Sequence, residues 1–189
     1  MPDPLPERIE GSGLLVRRWR EEDAGVLERA VTESVAHLRP WMDWVVQEPM
    51  TIQARRKLIL AWERDWLAGG DVTLGIFREG VVVGGTGLHR RVGPSGLEIG
   101  YWVHPAFLRQ GIASRAAALV ADAAFTVPGI EFVEIHHDKA NVASGAVPAR
   151  LGFTLVDEHT RPHTAPADIG IECVWRMERD EWEQRRAER

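Results

Sequence analysis

One stretch, residues 97–125, constrains this chain more than any other. Residues 97–103 read as an apolar strand. The turn Val103-His104-Pro105-Ala106-Phe107-Leu108-Arg109-Gln110-Gly111-Ile112-Ala113-Ser114 follows. A helix is predicted over residues 110–125, because Ile112, Ala116, Leu119, Val120 and Ala123 recur on one face of a 3.6-residue period. A second strand, residues 131–137, receives that helix. Strand, helix and strand in this order make a crossover within one sheet. Ligands of open α/β sheets bind where strands end and helices begin, so the junction near residue 110 is the place to look for function.

The rest of the chain supplies neighbours for that unit. Residues 14–19 read as a first strand. Residues 22–38 form a helix, broken ahead of Pro40 because proline disfavours helix at the residue before it. Thr51 caps a second helix running to about residue 68. Residues 72–78 and 81–88 read as a hairpin turned at Glu79-Gly80. Residues 141–151 form a short helix ended by Gly152, 153–156 and 171–177 are strands, and 161–167 is a loop. The order β, α, α, β, β, β, α, β, α, β, β predicts a mixed α/β sheet of about seven strands with helices on both faces. Residues 1–11, with three prolines, read as a flexible leader, 12–180 as one domain and 181–189 as a charged tail.

Composition removes several function classes. Twenty-three Lys and Arg against 28 Asp and Glu leave a net charge of −5, without the basic excess of a nucleic-acid-coating protein. The single Cys173 allows no internal disulfide and no cysteine-rich zinc site. No apolar run approaches the ~18 residues of a spanning helix. The N-terminal residues lack the basic and apolar regions of a secretory signal. The expectation is a cytoplasmic monomer or homodimer with no metal, no membrane and no nucleic-acid partner.

The turn at 109–114 suits an anion. The first turn of a helix carries unpaired amide N–H groups and partial positive charge. Gly111 has no Cβ, Ala113 is nearly as small, and Arg109 and Arg115 add charge. A diphosphate suits such a turn, and a plain helix start after a glycine is the bland alternative. Gly-Lys-Ser/Thr is absent, so this is no P-loop, and the three spaced glycines of a dinucleotide fingerprint are missing.

This segment resembles motif A of the GNAT superfamily of acyl-CoA-dependent N-acyltransferases, Gln/Arg-x-x-Gly-x-Gly/Ala. Downstream, Asn141-Val142-Ala143-Ser144 and then Leu151-Gly152-Phe153 are similar to the family's Asn-x-x-Ser…Leu-Gly-Phe. Upstream, Glu98-Ile99-Gly100-Tyr101-Trp102-Val103 and Arg39-Pro40-Trp41-Met42-Asp43-Trp44 resemble the branch that acetylates ribosomal-protein N-termini. The resemblance covers roughly residues 12–180. It implies a mostly antiparallel sheet with one splayed parallel pair. It also implies acetyl transfer from acetyl-CoA to a primary amine by direct attack through a tetrahedral intermediate, with a protein N-terminus as acceptor. By the resemblance, the coenzyme diphosphate lies on Arg109, Gln110, Gly111, Ile112, Ala113 and Ser114. Its arm lies along Tyr101, Trp102, Val103 and Asn141. Leu108 departs from the family's Gln/Arg, which shifts the expected affinity.

The reaction needs a base for the amine, a donor for the oxyanion and a partner for the leaving thiolate. Glu98 is the first candidate base. His136 is the second, with Glu134 on the same strand face to orient it. His89 is a third, on the acceptor side. Many family members use a tyrosine after the Asn-containing segment. Tyr101 is the only tyrosine here, so Ser144 takes that place at the coenzyme sulfur. Trp41 and Trp44 frame an acceptor pocket, whereas Trp19, Trp62, Trp66 and Trp175 read as packing residues and Arg55, Arg56 and Lys57 as a solvated face. Pro148 falls inside a helix and removes the bond to the Ser144 carbonyl, which kinks the helix or frees that carbonyl for a ligand. The competing readings are a small-molecule amine acetyltransferase, a non-catalytic acyl-CoA sensor and a nucleotide-binding interaction protein.

Overall fold

The computed structural model describes residues 5–188. In chain order it contains β1 (Arg8–Gly11), β2 (Leu14–Arg18), α1 (Ala24–Leu38), α2 (Ile52–Leu67), β3 (Val72–Arg78), β4 (Val81–His89) and β5 (Gly96–Val103). Then follow α3 (Ile112–Ala124), β6 (Phe132–Asp138), α4 (Val142–Leu151), β7 (Thr154–Thr160), β8 (Ile171–Glu178) and α5 (Arg179–Ala187). Local chemistry sets most of these boundaries. Thr51 caps α2 by accepting from the Ala54 amide at 3.1 Å. The β3–β4 hairpin turns through two left-handed residues, Glu79 (φ 52°) and Gly80 (φ 79°), the pattern that matches strand twist.

The strands form one eight-stranded sheet in the order β1-β2-β3-β4-β5-β6-β8-β7. Every pairing is antiparallel except β5–β6. One core lies between the sheet and α3, where Ile112, Ala116, Val120 and Ala124 are buried. The other lies under α1 and α2, around Trp19, Leu27, Val31, Ile59 and Phe77. Among the described residues, no helix is long and apolar enough to cross a membrane.

Three expectations change. The leader expected over residues 1–11 includes β1, which pairs with β2 through a turn at Ser12 and Gly13. Leu5 is buried, and its carbonyl accepts from Trp66 Nε1 at 2.7 Å; residues 1–4 lie outside the described ones. The Ser12-Gly13 pair is the turn signal for this hairpin. The tail expected over residues 181–189 is instead mostly helix α5. Trp182, 2 % exposed, packs on Phe125 and Phe153, and its Nε1 donates to Asp122 Oδ1 at 2.7 Å. This aromatic anchor, with Arg179 donating to the Ile130 carbonyl at 2.9 Å, docks a highly charged helix. Arg55 is not on a solvated face: it is 2 % exposed and donates to Glu48 at 2.5 Å.

Candidate active site

The site follows from how two strands separate. β5 and β6 pair only over Gly96↔Phe132, Leu97↔Val133 and Glu98↔Glu134. Beyond that, β5 stays paired to β4 as far as Val103, and β6 to β8 as far as Asp138. Each strand keeps its outer partner while the inner edges part, leaving a gap in the sheet between residues 99–103 and 135–138. Backbone groups along those edges are left without a ladder partner across the gap, which makes them available to a ligand.

At the closed end of the gap, Glu98 and Glu134 lie side by side. Two adjacent carboxylates need cations, and the structure supplies them. Arg91 holds Glu98 with two hydrogen bonds of 2.6 Å. Arg176 donates to Glu134 Oε1 at 2.8 and 2.6 Å. His136 Nε2 bonds Glu134 Oε2 at 2.7 Å, as expected from strand alternation, while its Nδ1 is 3.9 Å from Glu98 and 3.6 Å from Glu172. Burial alone would lower the His136 pKa, but the Glu134 bond and the charges of Glu98, Glu134 and Glu172 outweigh it and raise the pKa above the ordinary imidazole value. For Glu134, burial alone would raise the pKa; the bonds from His136 and Arg176 prevail and lower it. His89 stands opposite Glu98 in the β4–β5 register, bound through Nδ1 to Asp71 at 2.7 Å.

Across the gap lies the first turn of α4. Asn141 caps it, its Oδ1 accepting from the Ser144 amide at 3.1 Å, which leaves the side-chain amide NH₂ for a ligand carbonyl. Tyr101 Oη donates to the Ser144 carbonyl at 3.0 Å and lies 3.3 Å from Ser144 Oγ. The carbonyl expected to be freed by Pro148 is therefore taken by this tyrosine. Burial pushes the Tyr101 hydroxyl up to about 12, so it stays protonated near neutrality and acts as a fixed donor.

These groups open into a cavity of 680 Å³. Glu98, His89, His136, Tyr101, Trp102, Asn141 and Ser144 line one side, and Trp41, Trp44 and Trp62 another. Trp44 and Trp102 rings stand 6.4 Å apart. The aromatic wall is held by the buried Glu48–Arg55 pair, with Glu48 Oε2 also accepting from the Met50 amide at 3.0 Å. Trp62, read from the sequence as a packing residue, belongs to this wall.

The anion turn lies outside this cavity. Arg109 (φ 58°) and Gly111 (φ 71°) are both left-handed, and α3 starts at Ile112 rather than Gln110. The first α3 bond there runs from the Arg115 amide to the Gly111 carbonyl, so the amides of 112–114 precede the helix ladder. A Cβ built on Gly111 meets nothing within 4 Å, so the face of the turn is open. Arg115 brackets it through the Ser12 and Gln110 carbonyls at 2.7 and 3.2 Å. Open amides and surrounding cations fit a diphosphate. Val103, Ile112 and Ser114 turn their side chains into the protein, so they can offer a ligand little beyond backbone. Arg78, which donates to Gln110 Oε1 at 2.8 Å, and Arg150, which donates to Ser114 Oγ at 3.2 Å, escaped the sequence reading. They come from distant segments, and no local pattern marks them.

Known proteins share this architecture. The described fold is similar to that of RimL, a ribosomal L7/L12 alpha-N-protein acetyltransferase solved with coenzyme A, at TM-score 0.83 and 23% identity, covering 93% of this chain and 99% of that one. It is similar to Mycobacterium smegmatis RimJ, solved with a CoA-disulfide, at TM-score 0.80 and 23% identity, covering 95% and 89%. YdaF of Bacillus subtilis (strain 168), which carries the name of a ribosomal N-acetyltransferase, is 27% identical over 143 residues, 74% of this chain and 77% of its own. A sequence model of the Acetyltransferase (GNAT) domain matches residues 13–154, which take in the anion turn, the splayed strands and the Asn141–Ser144 turn. The chain belongs to the GNAT acetyltransferase family.

Proposed function

We propose that the protein is a cytoplasmic enzyme that moves the acetyl group of acetyl-CoA to the N-terminal amine of a protein or peptide. The observation that carries this reading is the parting of β5 and β6 just beyond Glu98, with an anion turn on one side of the sheet and a carboxylate–histidine cluster in a cavity on the other. Acetyl-CoA supplies a thioester carbonyl at the gap. The amides of Arg109–Ser114 hold its diphosphate, and the NH₂ of Asn141 and the free edges of β5 and β6 hold its amide-bearing arm. An unpaired β5 amide facing the gap supplies a donor for the oxyanion. The acceptor enters as an ammonium from the aromatic side and meets Glu98 and His136, which take its proton. His136 serves this step in its neutral form. The Ser144 hydroxyl offers a hydrogen bond to the departing thiolate.

RimL and YdaF, whose names refer to ribosomal or N-terminal acetylation, support a protein N-terminus as acceptor. So does the charge of the cavity wall, where Asp43, Glu48, Glu98, Asp138, Asp168 and Glu172 outnumber Arg55, Arg91 and Arg161. The test is thiol release from acetyl-CoA with peptides bearing free or blocked N-termini, polyamines and amino acids, with products read by mass. Turnover on free peptide N-termini is expected. Coenzyme binding without release on any amine would replace the reading with a sensor, and preference for small amines would move the acceptor class.

A further inference from the structure

α4 lies at the mouth of the gap and is held from both sides. On the β6 side, the His137 ring packs against Gly145, where an added Cβ would stand 2.8 Å from ring Cε1 and Nε2. A glycine is needed for that approach. His137 is itself anchored, its Nε2 accepting from Trp175 Nε1 at 2.9 Å. On the β5 side the contact is Tyr101 to Ser144.

That second contact depends on a proline four residues further on. The carbonyl of residue 144 in an α-helix is ordinarily taken by the amide of residue 148. Pro148 has no N–H, and its ring crowds that carbonyl. Tyr101 Oη supplies the missing hydrogen bond at 3.0 Å. The phenol has one proton, and the carbonyl accepts it. The phenol oxygen then stands 3.3 Å from Ser144 Oγ and packs that side chain in place, while the serine O–H is left to donate to the thiolate.

The geometry points to Tyr101 and Pro148 as positioning residues: Pro148 frees the Ser144 carbonyl, Tyr101 latches α4 to β5 through it, and the latch sets the Ser144 hydroxyl where the thiolate departs. This rests on the transfer reading above. The latch substitutes for a catalytic tyrosine on α4 by bringing a tyrosine from the opposite strand, as an organiser of the serine and not as the acid.

The test is a pair of double-mutant cycles on the full chain, measuring kcat and KM for acetyl-CoA with an accepted peptide. Tyr101→Phe is expected to lower kcat about tenfold and leave KM within about twofold, the effect of one lost hydrogen bond in the transition state. In a Ser144→Ala background the same change is expected to cost nothing further. Pro148→Ala restores an amide that competes for the carbonyl, so it is expected to lower kcat as Tyr101→Phe does and to add nothing to it. Pro148→Leu, which also restores the amide, is the companion variant, and circular dichroism checks folding. Tyr101→Phe, which removes a single oxygen, decides the matter should both residue-148 variants unfold. Losses that multiply in the Tyr101/Ser144 cycle, or a wild-type kcat in Tyr101→Phe, would overturn the latch alone. No wild-type turnover on any amine would overturn the transfer reading and the latch with it.

Discussion

At the scale of single residues, the site is a set of charges and donors whose neighbours decide their behaviour. Glu98 and His136 stand out in the sequence because of residue type and strand position. Arg91, Arg176 and Glu172, which surround them, do not, because they come from segments that meet only in the sheet. Glu134 makes the clearest case. Its carboxylate helps raise the pKa of His136, so Glu134→Gln lowers it. An imidazole must be neutral to accept a proton, so the acidic limb of kcat/KM is expected to move to lower pH in Glu134→Gln. A profile that stays in place would remove His136 from proton transfer. At the anion turn, Gly111→Asp puts a negative charge on an open, left-handed residue. Backbone strain there costs about 1 kcal/mol, a small share of domain stability. Coenzyme affinity by calorimetry is expected to fall more than tenfold, a repulsion of about 1.4 kcal/mol or more between the carboxylate and the diphosphate. Unchanged affinity would displace the diphosphate from this turn.

At the scale of elements, periodicity and caps were enough for α1, α2, α3 and α4, and short apolar runs bounded by turn residues were enough for the central strands. Each signal is local, carried by residues a few positions apart. The two ends of the chain were not legible in the same way. β1 is four residues long, too short for a period to register, and its pairing is made by a turn at Ser12-Gly13. α5 is dominated by Arg, Glu and Asp, yet it is docked by the buried Trp182 and by Arg179, which donates to the Ile130 carbonyl at 2.9 Å. Trp182→Ala is expected to destabilise the fold by about 3–5 kcal/mol in denaturant unfolding, by removing a buried indole and its bond to Asp122. A change under about 1 kcal/mol would mean that α5 is a passenger on the sheet.

At the scale of the whole molecule, one sheet serves both partners of the reaction. Its gap lies between the anion turn beside α3 and the cavity under α1 and α2, and on the proposed function a long substrate passes through it. Ligand binding across the gap is therefore expected to stabilise the whole fold. Acetyl-CoA at a hundred times its Kd adds about 2.7 kcal/mol, roughly 5–10 °C in melting temperature for a domain of this size. Adenosine diphosphate, which reaches only the turn, is expected to add less; an equal shift would favour a plain nucleotide site. Local patterns along the chain carry the order of strands and helices from residue 14 to residue 177, the glycine turn ahead of α3 and the residue types at the site, because these depend on near neighbours. Packing between segments sets the rest: β5 and β6 part after Glu98, Arg91 and Arg176 neutralise the paired carboxylates, and Tyr101 occupies the carbonyl freed by Pro148. Apart from Arg91, seven positions from Glu98, those facts depend on contacts between residues about 40 positions apart, Glu98↔Glu134, Glu134–Arg176 and Tyr101–Ser144, and no local pattern of side chains encodes such a contact.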